Sequence, residues 1–171
     1  GHFRHESGHY YWERLVLGAG REDAFRALFG DERQDYSAAL ERHYAQPESA
    51  DWHANFVSAY ASSHPWEDWA ETWAHYLHLI DLLETAAAYD SSLALPGAPA
   101  AERVRVVSPF SDPAPSFDTM VQQWSPLTLL LNSLNRSLGQ EDAYPFALST
   151  GALRKLQFAH ELVRSRVRVP S

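Results

Sequence analysis

Apolar residues recur along this chain at helical spacing rather than in strand-like alternation. The clearest case begins at Pro65, a residue suited to the first turn of a helix. Trp66, Trp69, Trp73, Tyr76, Leu77 and Ile80 follow at three- and four-residue intervals and predict a long helix to about Tyr89 with a core-facing stripe. Residues 2–17 predict a helix with Phe3, Tyr10, Leu15 and Val16 as its apolar surface, stopped by Gly18-Ala19-Gly20. Gly8 inside it costs about 1 kcal/mol relative to Ala and lets another backbone approach closely. Shorter helices are expected over about 21–29, ending at Gly30, and over about 34–45, stopping before Pro47. Residues 50–62 predict a further helix anchored by Trp52, Phe56 and Val57.

The pattern changes over 91–118, where prolines and small residues gather and only Arg103-Val104-Arg105-Val106-Val107 alternates. One short strand inside a long surface excursion is expected there. Helices return over about 119–138 and 150–166, with Gly139 and Pro145 in the turn between them. Asn132, Asn135 and Arg136 are expected to cap or tie these helices. No internal repeat appears. The fold class is therefore mainly α, with little or no β-sheet.

Composition narrows the function. A length of 171 residues, 45% hydrophobic with 6 Trp, suits one domain with a large-ringed core. The net charge is −8 and the only basic cluster, Arg164 to Arg168, is expected to be a solvated end. That disfavours nucleic acid as a partner. No stretch approaches the ~20 apolar residues of a membrane span. A cytoplasmic location is expected. With no cysteine, any metal needs His, Asp or Glu.

The chemistry is concentrated at the start. His5-Glu6-Ser7-Gly8-His9 is an H-E-x-x-H arrangement. On a helix, His5 and His9 lie one above the other and can aim two imidazoles at one point, with the Glu6 carboxylate beside them. Two neutral imidazoles and a nearby base suit a zinc hydrolase, which needs a third protein ligand and an open position for water. Glu67 and Glu71 share a face at the start of the long helix. One can ligate the ion while the other hydrogen-bonds a ligand histidine. Spacing does not separate the two. His2, one turn before His5, is an alternative ligand but better suits an exposed terminal residue. His64 is a candidate donor to substrate. His75 and His78 lie in the cleft or form the polar edge of a buried helix. Asp35 and Glu41 belong to a solvated helix face.

Residues 1–12 (Gly-His-Phe-Arg-His-Glu-Ser-Gly-His-Tyr-Tyr-Trp) and 58–78, from Ser58-Ala59-Tyr60 through His64-Pro65-Trp66-Glu67 to His78, resemble the bacterial zinc-binding metallopeptidases of the zincin superfamily. Asn132 to Ser137 with Asp142-Ala143-Tyr144-Pro145-Phe146 is similar to that family's C-terminal part. The resemblance covers most of the chain. It implies a gluzincin-type site with Zn2+ held by His5, His9 and Glu67. Glu71 then supports a ligand histidine, Glu6 is the general base and Tyr60 stabilises the oxyanion. The implied partner is a peptide or protein substrate, and the oligomeric state is open. Zincins place an edge strand before the H-E-x-x-H helix, and that segment is missing here. The chain is therefore expected to be the C-terminal catalytic part of a longer protein, and it need not be active in isolation. A non-catalytic helical module with a structural or vestigial zinc site, acting in protein–protein interaction, is the competing expectation. Retention of Glu6 favours catalysis, since a structural site has no use for a base.

Overall fold

A computed structural model describes residues 1–45, 50–95, 97–99, 102–144 and 147–167. Pro47, Pro145, Phe146 and Arg168, which figured in the expectations above, lie outside the described residues. The described chain is mainly helical. In order it runs α1 (His2–Leu15), α2 (Glu22–Phe29), α3 (Tyr36–Ala45), α4 (Pro65–Ala88), β1 (Ser92–Leu93), β2 (Val104–Arg105), α5 (Phe117–Ser137) and α6 (Thr150–Val167). No helix among the described residues is long and apolar enough to cross a membrane. The chain divides into two compact units, residues 1–77 with 148–171 and residues 78–147.

The first unit is built on stacked aromatic rings. Trp69, fully buried on α4, meets Phe25 and Phe29 of α2, Trp73 on its own helix and Phe158 of α6 at ring-centroid distances of 5.9–6.3 Å. Phe25 stacks on Phe29 at 4.6 Å and receives the Trp12 edge at 5.7 Å. Such offset and edge-on pairs add to the burial of large rings. The buried face of α1 is Gly8, Trp12 and Leu15. Phe3 and Tyr10, expected on the apolar surface, are exposed, because the buried stripe passes through Gly8 instead. After α1 a short 3₁₀ turn, Leu17–Ala19, ends at Gly20, whose φ of 64° is left-handed and suits glycine.

Residues 50–62 do not form the single helix expected. They make two 3₁₀ turns, Ala50–Ala54 and Tyr60–Ser62, with non-helical chain between. The cause is tertiary. Lys155 of α6, only 5% exposed, donates from Nζ to the Asn55 carbonyl at 2.8 Å and to Asp68 Oδ2 at 2.6 Å. Its ammonium also sits 4.0 Å from the Phe56 ring centre. A buried cation needs these acceptors more than a helix needs that carbonyl.

In the second unit, β1 and β2 pair antiparallel with Ser92 opposite Arg105 and Leu93 opposite Val104. The expected lone strand therefore has a partner, and Arg105 ties the ladder to Asp90 at 2.7 Å. Ser116 caps α5 by accepting from the Thr119 amide. The Asn132 side chain bonds both the amide and the carbonyl of Tyr144. Asn135 donates to the Glu141 carbonyl and Arg136 grips Asp142. These three residues tie the chain after α5 back onto that helix, as expected.

Candidate metal centre

The site begins with how closely α1 and α4 approach. A Cβ on Gly8 would lie 2.8 Å from the Ala70 Cα and 3.3 Å from its carbonyl oxygen, so only glycine admits this contact without a shift. Trp69 Nε1 donates to the Gly8 carbonyl at 2.8 Å and Trp73 Nε1 to Ser7 Oγ at 3.1 Å. The two tryptophans fix α1 along α4. Helical periodicity then places His5 and His9 one turn apart facing Glu67 and Glu71, themselves one turn apart.

The start of α4 is set by His64. Its Nδ1 accepts from the Trp66 amide at 3.1 Å, which assigns the ring proton to Nε2, and Nε2 donates to the Gln34 carbonyl at 3.2 Å. His64 is 3% exposed and has both nitrogens engaged. In this geometry His64, expected as a possible cleft residue, caps α4 and holds the 34–36 segment with both ring nitrogens.

One nitrogen from His5, one from His9 and one oxygen of Glu67 lie within 4.8 Å of one another. His5 Nε2 is 3.0 Å from Glu67 Oε2, and His9 Nε2 is 3.6 Å from Glu67 Oε1. The Glu67 side chain is 2% exposed. On its other side, His5 Nδ1 meets Glu71 Oε1 at 2.6 Å, and Glu71 Oε2 accepts from Ser58 Oγ at 2.7 Å. With Nδ1 donating to Glu71, His5 would turn its Nε2 lone pair inward once a cation displaces the second ring proton. Tyr36, the first residue of α3, donates its hydroxyl to Glu67 Oε1 at 2.9 Å.

The electrostatics follow from this packing. The Glu67 and then the Glu71 carboxylate, at 3.0 and 2.6 Å, raise the His5 pKa to about 10, against the effect of burial. The negative field that holds a proton on His5 equally favours a metal dication. Burial lowers the pKa of His9, keeping that ring neutral with a lone pair. Burial opposes ionisation of Glu67 and Glu71, but bonds from His5 to both, from Tyr36 to Glu67 and from Ser58 to Glu71 hold both below the ordinary carboxylate value.

The donor set fits zinc: two imidazoles and a carboxylate are among its usual ligands. The fit also rests on an unsatisfied atom. Glu67 Oε2 is buried with no hydrogen-bond partner. Its nearest polar neighbour is His5 Nε2 at 3.0 Å, where a shared cation would take the place of the imidazole proton. Buried acceptors without a partner are rare and costly. Among the described residues this is the only His/Asp/Glu trio with converging donors.

The remaining candidates sit around it. Glu6, adjacent to His5 on α1, is 55% exposed at its side chain, with Oε1 3.5 Å from His2 Nε2. His2 is exposed and stacks on His5 at 6.4 Å, outside the converging trio. The Tyr60 ring centre is 6.0 Å from that of His5. Burial, then the Glu67 charge and the Tyr36 hydroxyl, raise the Tyr60 phenol above its ordinary value, so it stays protonated at neutral pH. His75, one turn beyond Glu71, is half-buried, its pKa lowered by burial against the Glu71 charge. Tyr36 and Ser58 were not foreseen. Each reaches the site from a segment whose spacing has no periodic relation to α1 or α4.

The family described as "Putative zinc-binding metallo-peptidase" matches residues 1–162, and the chain belongs to that family. It is 46% identical over 167 residues to an uncharacterized protein of Mycobacterium bovis, and equally so to uncharacterized proteins from two strains of Mycobacterium tuberculosis. The match takes in 95% of this chain and 46% of each relative, so the chain spans about half the length of those proteins. No solved structure matches it.

Proposed function

We propose that this chain carries the catalytic centre of a zinc-dependent peptidase, with His5, His9 and Glu67 as the metal ligands. The observation that carries this reading is the convergence of His5 and His9 on the buried Glu67 carboxylate, His5 Nε2 lying 3.0 Å from Oε2 and His9 Nε2 3.6 Å from Oε1, with His5 anchored from behind by Glu71. When bound, zinc acidifies a water and polarises a carbonyl.

The protein's own groups do the rest. Glu6 stands on the open side of α1, where its carboxylate accepts a proton from the attacking water and passes it to the leaving amine. Tyr60, kept protonated by its surroundings, donates its hydroxyl to the oxyanion that forms at the scissile carbonyl. Glu71 fixes the tautomer and orientation of His5, and Ser58 fixes Glu71. His75 is not needed for any of these steps. Peptides or proteins are the substrate class, hydrolysis the reaction.

The test compares wild type with Glu6→Gln and His9→Ala for zinc content and peptide turnover, in this chain and in the full-length protein. Glu6→Gln should keep its zinc and lose turnover; His9→Ala should lose both. Tight zinc binding by His9→Ala would remove the ligand assignment. Wild-type zinc without turnover in either length of protein would favour the non-catalytic module.

A further inference from the structure

We propose that Tyr36 is a positioning residue that makes Glu67 a one-oxygen ligand and thereby keeps a coordination position open for water. The inference rests on the zinc-site reading above and concerns a residue outside the ligand set.

Glu67 turns its two oxygens to different neighbours. They are not equivalent. Oε1 accepts the Tyr36 hydroxyl at 2.9 Å, whereas Oε2 is buried without a partner and lies 3.0 Å from His5 Nε2. A carboxylate can offer a metal one oxygen or both. With two imidazoles in place, one oxygen completes three protein ligands and leaves zinc's fourth position for water. Two oxygens would crowd that position. A hydrogen bond to Oε1 draws its electron density away from the metal and holds the carboxylate plane in one orientation. The oxygen left for the ion is then Oε2, which faces His5, while His9 Nε2 lies 3.6 Å from Oε1.

Tyr36 is well placed to do this because it is itself held. Asp35 accepts the Ala38 amide at 2.9 Å and caps α3, fixing the first turn on which Tyr36 sits. The residue before Asp35, Gln34, is tied through its carbonyl to His64 at 3.2 Å. The Tyr36 ring lies edge-on to His64 at 5.2 Å and to Trp66 at 6.4 Å. His64 caps the helix that carries Glu67, so donor and acceptor are referred to one buried imidazole. This gives His64 a use other than the one expected from sequence: it sets the distance between Tyr36 and Glu67.

Tyr36→Phe is the decisive variant. It keeps the ring against His64 and Trp66 and removes one hydroxyl from a residue that is 38% exposed, so the fold should survive. Wild type and variant are loaded with Co2+ and their visible d–d absorption compared. Zinc affinity is measured in parallel by chelator competition, and zinc-edge X-ray absorption counts the oxygen donors. The wild type should show the intense band of four-coordinate Co2+. The variant should show a band weaker by several-fold, an added oxygen donor at zinc, and an affinity changed by about 10- to 100-fold, as for other residues that orient metal ligands. A merely structural tyrosine would not move the band. An unchanged band and donor count in Tyr36→Phe overturns this inference and leaves the metal site standing. A wild type that takes up neither Co2+ nor Zn2+ overturns both.

Discussion

His5 Nδ1 and Glu71 Oε1 stand 2.6 Å apart, while His5 Nε2 faces Glu67 Oε2 at 3.0 Å. One imidazole is thus gripped by a carboxylate on each side, and the two carboxylates differ in what else they touch. Glu71 is satisfied on its second oxygen by Ser58, whereas Glu67 has one oxygen on Tyr36 and the other against the His5 imidazole alone. The asymmetry suggests different tasks for two residues whose spacing makes them interchangeable.

Zinc affinity should report that difference. Glu71→Ala removes only the group behind His5 and should weaken binding about 10- to 100-fold. Glu67→Ala removes a ligand and should abolish tight binding. Titration of both variants against a chromophoric chelator measures the two losses. Equal losses, or the larger loss from Glu71→Ala, would exchange the roles.

Gly8 offers a test of the scaffold. Alanine there would gain about 1 kcal/mol of helix propensity. Its Cβ, however, would meet the Ala70 Cα at 2.8 Å and the Trp73 Cβ at 3.3 Å. The first of these is backbone and cannot rotate away. Overpacking of this kind costs about 1–3 kcal/mol, so Gly8→Ala should be destabilising on balance. It should also splay α1 from α4 and weaken zinc binding, since His5 and His9 reach Glu67 only across this crossing. Urea denaturation and chelator titration read the two effects. A variant more stable than wild type would show that the crossing can relax.

Much of this was legible in the sequence, and the rest was not, for physical reasons. His5, His9, Glu67 and Glu71 could be placed because helical period alone puts each pair on one face. The α1–α4 crossing could be suspected from Gly8. Tyr36 and Ser58 could not be found, because what brings them in is the path of the 30–36 and 55–64 segments, where no period operates. The same limit explains the misread 50–62 region. Trp52 and Phe56 are spaced as in a helix, but the Asn55 carbonyl is taken by a lysine 100 positions away. His64 was drawn toward the cleft by its neighbours in sequence, whereas the unpaired amide of Trp66 at the start of α4 claims its Nδ1.

Tyr60→Phe should separate binding from turnover. The phenol is protonated at neutral pH and its ring lies beside His5, yet it is not among the three converging donors. Losing an oxyanion donor costs about 10²- to 10³-fold in kcat. Zinc content should be retained and KM little changed. Steady-state kinetics on a peptide substrate with zinc analysis of the same sample checks this. A loss confined to KM would mean that Tyr60 only helps to hold substrate.

The buried pair of Asp68 and Lys155 predicts a pH-dependent defect. Burial raises the Asp68 carboxyl from 3.8 to about 7 even with the Lys155 ammonium 2.6 Å away. Lys155→Met removes that ammonium and pushes Asp68 higher still, so the native state keeps the carboxyl protonated further into the alkaline range. The sign with pH follows from linkage. Because the native pKa exceeds the unfolded one, the native state holds the proton over the interval between them. Stability is fully present below the unfolded value and falls as pH rises through the native one. Lys155→Met should therefore lose up to about 1.4 kcal/mol more than wild type between pH 7 and pH 8 and be closer to it at pH 5. Adding Asp68→Leu should recover that pH-dependent part of the loss, because no buried carboxyl then has to hold a proton. Guanidinium denaturation of the single and double variants at both pH values measures this. A deficit independent of pH would mean that the lysine's contacts with Asn55 and Phe56, rather than its charge, hold α6 in place.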